Sequence, residues 1–131
     1  MSELAERTRS GPGRLLIAVY AIFALAATAR SVVQLATHFS RAPLAYLLSA
    51  LAGVVYIVAT VCLARGNRTS RRIATVSILV ELVGVLAVGT VSLAVPHLFP
   101  DATVWSDYGQ GYGYVPAVLP LLGLWWLRAT R

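Results

Sequence analysis

Residues 44–95 read LAYLLSALAGVVYIVATVCLARGNRTSRRIATVSILVELVGVLAVGTVSLAV. Two apolar stretches, each as long as the roughly 20 residues that a membrane-crossing helix needs, flank a short gap holding Arg65, Arg68, Arg71 and Arg72. The first stretch ends at Arg65-Gly66-Asn67, where Gly and Asn tolerate the left-handed backbone that stops a helix. The segment therefore reads as a helical hairpin with a basic turn. Outward from it, Pro43 opens the preceding stretch at a position where a missing N–H costs nothing, and Pro96 closes the following one. Leu15–Ala29 is apolar apart from Tyr20 and Thr28, and a weaker apolar stretch, interrupted by Pro116 and Pro120, runs from Gly111 to Leu127.

The reading predicts spans at about 15–37, 44–64, 73–95 and 111–127, an outer loop at 96–110 and a cytoplasmic tail at 1–14, with 15–131 forming one membrane domain. All eleven basic residues are arginines. Arg7, Arg9 and Arg14 precede the first span, four more fill the 65–72 gap, and Arg128 and Arg131 follow the fourth. The other two gaps hold Arg41, Asp101 and Asp107. Cytoplasmic segments collect basic residues, so the expected fold is an all-α, four-transmembrane-helix bundle with both termini cytoplasmic. Its expected location is the cell's inner (plasma) membrane, crossed more than once. With 58% hydrophobic and 12% charged residues and a mean hydropathy of +0.74, a soluble domain is excluded.

A net charge of +6 does not make this a nucleic-acid binder, because the arginines flank apolar spans and form no face with polar and aromatic contacts. The partners expected are the bilayer itself and anionic lipid headgroups at Arg65, Arg68, Arg71 and Arg72. The lone Cys62 allows no disulfide or CxxC pair. Residues 1–29 also match a signal peptide ending in Ala27-Thr28-Ala29, but apolar residues continue beyond Ala29 at helical spacing, and the uncut reading is preferred.

Ionisable groups inside a membrane are rare and are candidate functional residues by default. Glu81 lies about 12 Å into its span at a rise of 1.5 Å per residue, and Tyr20 and Tyr56 fall at nearly the same depth. A cluster of the three is available if their faces converge. Its functional reading is a proton- or cation-coupling acid. The packing reading, a hydrogen bond between helices, is preferred because a lone acid makes no relay. Arg30 lies in the outer third of the first span with Gln34 one turn above it. Asp101 and Asp107 are its expected counter-ions, forming a clamp on the outer loop. Trp105 and Tyr108 in that loop are expected to serve, with the two acids, as a docking surface. His38 and His97 near the outer interface have no i+3 or i+4 partner and suggest no metal or haem. Gly84, Ala87 and Gly89, with Ala50 and Gly53, suggest close packing between helices. No catalytic residue, metal site or cofactor is expected.

The stretches TARSVVQLAT (28–37), RAPLAYLLSALAGVVYIVATVCLARG (41–66) and FPDATVWSDYGQGYGYVPAVLPLLGLWWLR (99–128) resemble a family of small four-span integral membrane proteins of actinobacteria. The resemblance covers nearly the whole chain after Arg14. It implies the same topology and carries no assigned activity. The function expected is a non-catalytic accessory or assembly subunit of a membrane complex, with a protein partner or copies of itself. The alternative is a minimal homo-oligomeric transporter or channel using Glu81 as its coupling carboxylate.

Overall fold

A computed structural model describes residues 3–37, 40, 43–99, 103 and 105–130. Among them the chain is helical and holds no strand. Helices α1 (Glu3–Thr8), α2 (Pro12–Thr37), α3 (Pro43–Arg65), α4 (Arg68–Ala94) and α5 (Val115–Ala129) follow in order, with 3₁₀ turns at Pro96–Leu98 and Ser106–Tyr112 between the last two. Three helices, α2, α3 and α4, are long and apolar enough to cross a membrane. At 1.5 Å per residue they measure about 34–40 Å, against a hydrocarbon core of about 30 Å. A membrane protein is the class this defines.

The α3–α4 hairpin forms where its sequence says it should. Gly66 takes φ +67°, its N–H donates to the Cys62 carbonyl at 3.0 Å, and the Asn67 side chain accepts from Ser70 N–H at 2.9 Å to cap α4. Along α4 the residues Arg71, Ala74, Ile78, Glu81, Val85, Val88 and Ser92 are all buried. They alternate spacings of three and four, the stripe of a helix packed along its length. The opposite face shows Val76, Val80 and Val83, as expected where the surroundings are themselves apolar.

Three features differ from the sequence expectation. The fourth apolar segment is a 15-residue helix beginning at Val115, not a span from Gly111. It measures about 22 Å, because Ser106–Tyr112 is a 3₁₀ segment and Gly113 and Tyr114 adopt left-handed backbone that keeps the turns apart. The 1–14 tail is ordered over α1, with Ala5 and Thr8 buried and Gly66 packed on Ala5. The expected outer loop, 96–110, is partly structured: its described residues form short helical turns that pack along α4.

Both ends of the described chain meet the α3–α4 turn at one end of the bundle, called here the basic end. Arg9 Nη1 donates to the Ala64 carbonyl at 2.9 Å. Trp126 Nε1 donates to the Thr8 carbonyl at 2.8 Å. Arg71 donates to the Thr8 and Thr130 hydroxyls, the latter at 3.0 Å, and to the Leu127 carbonyl at 2.5 Å. Arg71 is thus turned inward, correcting its assignment to a headgroup-binding set; Arg65, Arg68 and Arg72 remain exposed. The physical reason is register, since Arg71 belongs to the buried stripe and the other three do not. A buried guanidinium is tolerable only when hydrogen bonded, and the Leu127 carbonyl with the Thr8 and Thr130 hydroxyls supplies that.

Candidate functional site

Helices α2, α3 and α4 bring Tyr20, Tyr56 and Glu81 together at the middle of the bundle, all three fully buried. Tyr20 donates its hydroxyl proton to Glu81 Oε1 at 2.7 Å. The Tyr20 and Tyr56 rings lie 6.2 Å apart, tilted by 53°, and Phe23 packs on Tyr56 at 5.6 Å. The equal depth of the three residues on separate spans therefore does bring their faces together, with the Tyr56 ring against Tyr20 and its hydroxyl accepting from Trp105. Gly123 lets α5 close over this cluster: a Cβ there would sit 3.2 Å from the Tyr20 hydroxyl and 2.9 Å from Ile78 Cδ1.

The fourth member is Trp105, and here the docking expectation is overturned. Trp105 is 1% exposed and donates Nε1–H to the Tyr56 hydroxyl at 3.1 Å. Its ring fills the space left by Gly84, where a Cβ would lie 2.5 Å from Cζ3. Burying an indole removes a large apolar surface from its surroundings while its N–H finds an acceptor, so the ring belongs in the core. Tyr108 is only half-buried: its ring lies over Gly89, and its hydroxyl pairs with the exposed Thr90 at 2.8 Å. Gly84 and Gly89 thus receive loop aromatics and are not helix–helix contacts, whereas Gly53 faces Thr28 across the α2–α3 interface as expected. The signal missed was that Gly84, Gly89 and Ser92 leave shallow places along α4, two of which a large ring fills.

Asp107 is held to α4. Its N–H donates to Ser92 Oγ at 2.8 Å, and Ser92 Oγ donates to Oδ1 at 3.2 Å. Asp107 and Tyr108 take positive φ of 52° and 60°, a conformation costly for residues with a Cβ. Tyr112 gives Arg30 one partner from the loop, accepting from Nη1 at 3.1 Å. Arg30, Thr103, Ser106, Asp107, Gln110 and Tyr112 line a polar cleft of about 620 Å³ at this loop end. Gln34 is partly buried, and its Oε1 has no hydrogen-bond partner among the described residues. Asp101, His38 and Arg41 lie outside the described residues. His97 is exposed.

Chemically, the cluster offers one carboxyl with a single donor. Glu81 Oε2, Ser49 Oγ and Thr28 Oγ1 are buried without a partner among the described residues. No group of three or more metal-ligating side chains occurs among those residues. Comparison with family models, with curated proteins and with solved structures returns no match, so the reading of this site rests on its own geometry.

Proposed function

We propose that the chain is a multi-pass protein of the plasma membrane, crossing it four times with both ends in the cytoplasm, and that it is a non-catalytic accessory or assembly subunit of a membrane complex. The topology is supported by the basic end, where Arg9, Arg65, Arg68, Arg71, Arg72 and Arg128 gather around the α3–α4 turn and the two chain ends. Cytoplasmic ends of membrane bundles are basic in this way. In this reading α5 crosses with the help of the 3₁₀ segment that precedes it, whose inserted side chains supply the depth that a 15-residue helix lacks.

The observation that carries the subunit reading is the closure of the central cluster. Tyr20, Tyr56, Glu81 and Trp105 tie three helices and a loop to one another and do not line the polar cleft beside Arg30. The polar residues at mid-depth serve the bundle. With Trp105 turned inward, docking falls to the exposed Arg65, Arg68 and Arg72 at the basic end. One observation favours the transporter reading: Glu81 Oε2 has no partner among the described residues, and an acid so placed can exchange a proton when its surroundings open.

The test is native mass spectrometry of tagged protein extracted from its own membrane in mild detergent. A different chain travelling with it, lost when Arg65, Arg68 and Arg72 are all changed to Gln, is the expected result. Copies of itself alone, with a proton-coupled flux in vesicles that Glu81→Gln abolishes, would overturn the subunit reading in favour of the transporter.

A further inference from the structure

Arginines from two helices converge on one cleft at the basic end. Arg71, Arg72 and Thr75 of α4 line it together with Leu124, Leu127 and Arg128 of α5. Arg72 and Arg128 are exposed, whereas Arg71 is only 7% exposed and closes the cleft from its buried side.

The lining holds three cations and no acid. Arg71 has neutral partners alone: three of its five N–H donors go to the Thr8 and Thr130 hydroxyls and the Leu127 carbonyl, and the other two have no acceptor among the described residues. The charged side chain that acts on it is a further arginine, Arg7. Hydrogen bonds to neutral atoms satisfy donors but leave the charge uncompensated, and a buried charge without a counter-ion is costly. The position adds to that cost. Arg68, Arg71 and Arg72 occupy the N-terminal end of α4, whose first turn holds no acid, and the helix dipole disfavours cations there. An anion in the cleft offsets both terms.

The guanidinium fork pairs with carboxylate or phosphate. A carboxylate presents two oxygens in one plane. A phosphate presents its oxygens tetrahedrally, so side chains arriving from α4 and from α5 can share it. Thr75 adds no donor, because its hydroxyl is spent on the Arg71 carbonyl at 2.8 Å. Leu124 and Leu127 give the cleft an apolar border, against which the carbon part of a phosphate ester can rest.

We infer that the cleft between α4 and α5 binds a phosphate group, with Arg72 and Arg128 holding its oxygens and Arg71 supplying charge behind them. Free phosphate and the headgroup phosphate of an anionic lipid share this chemistry. The inference rests neither on the subunit reading nor on the number of crossings.

The full chain in dodecyl maltoside is titrated with inorganic phosphate, with dihexanoyl phosphatidylglycerol, and with acetate at matched ionic strength. Its unfolding temperature is followed, since a ligand of the folded state raises it by mass action. A saturable rise with a phosphate-bearing probe, and none with acetate, is the expected result. Arg72→Gln and Arg128→Gln each weaken that binding about tenfold, as loss of a charged hydrogen bond does. Arg14→Gln removes the same charge from an exposed position at the same end, beside Ala64, and leaves binding unchanged. Tighter binding of the lipid, reduced by Leu124→Gln while inorganic phosphate is unaffected, assigns a headgroup; equal binding of the two assigns free phosphate, and both uphold the site. An equal response to acetate overturns the phosphate assignment. Equal weakening in all three arginine variants reduces the site to diffuse surface charge and overturns it, as does the absence of a saturable rise with either phosphate probe.

Discussion

Glu81 is fully buried, yet among the described residues only one of its oxygens has a donor, the Tyr20 hydroxyl at 2.7 Å. Removing that donor leaves a buried acid with nothing to bond. Tyr20→Phe is expected to lower stability by about 1–3 kcal/mol, the cost of an orphaned buried polar group, read from thermal unfolding in detergent. Glu81→Gln keeps an acceptor for Tyr20 and is expected to cost less than Tyr20→Phe. The reverse order would show that the carboxyl matters beyond this hydrogen bond. Gly84→Ala tests the neighbouring contact, because a Cβ there meets the Trp105 ring at 2.5 Å. In a background where Trp125 and Trp126 are replaced by Phe, Gly84→Ala is expected to shift Trp105 emission to the red as the ring leaves the core. Unchanged emission would mean that the ring has another way to fit. The depth match of Glu81, Tyr20 and Tyr56 was legible in the sequence because it needs only a count along straight helices. The place of Trp105 was not, because it depends on where a non-helical segment turns, and no periodicity encodes that.

At the scale of elements, α4 organises the molecule. Its buried stripe, Arg71, Ala74, Ile78, Glu81, Val85, Val88 and Ser92, makes contact with α3, α5 and the 3₁₀ segment. Arg71 is the first step of that stripe. It could have been separated from Arg68 and Arg72 by register alone, yet a cluster of arginines in a short turn reads first as a charge and only afterwards as a pattern. Arg71→Gln is expected to lose about 2–3 kcal/mol, since charged hydrogen bonds to Thr8, Thr130 and the Leu127 carbonyl go with it. Arg68→Gln and Arg72→Gln, both at exposed positions, are expected to leave unfolding unchanged. Equal effects at all three positions would remove the distinction between latch and surface. The three long helices were legible from length and apolarity, with boundaries close to those observed. The shorter α5 was blurred because Gly111–Tyr114 is apolar enough to extend the pattern, while left-handed backbone at Gly113 and Tyr114 ends it.

At the scale of the whole molecule, an asymmetry of charge and an asymmetry of packing coincide. The arginines gather where α1, the α3–α4 turn and the end of α5 are bonded together, and the aromatic 3₁₀ segment closes the other end. The proposed crossing pattern makes one demand that a three-crossing or an inverted arrangement does not meet: the exposed residues Asn67 and Ala129 face the cytoplasm and the exposed Gln110 faces outward. In a Cys62→Ala background, single cysteines at these three positions are exposed to a membrane-impermeant maleimide in sealed, right-side-out vesicles. Labelling of residue 110 alone, with residues 67 and 129 protected until the vesicles are opened, is the expected result. Residue 129 labelling together with residue 110 would contradict it, leaving three crossings and the two ends of the chain on opposite sides, and labelling of residues 67 and 129 with residue 110 protected would invert the orientation.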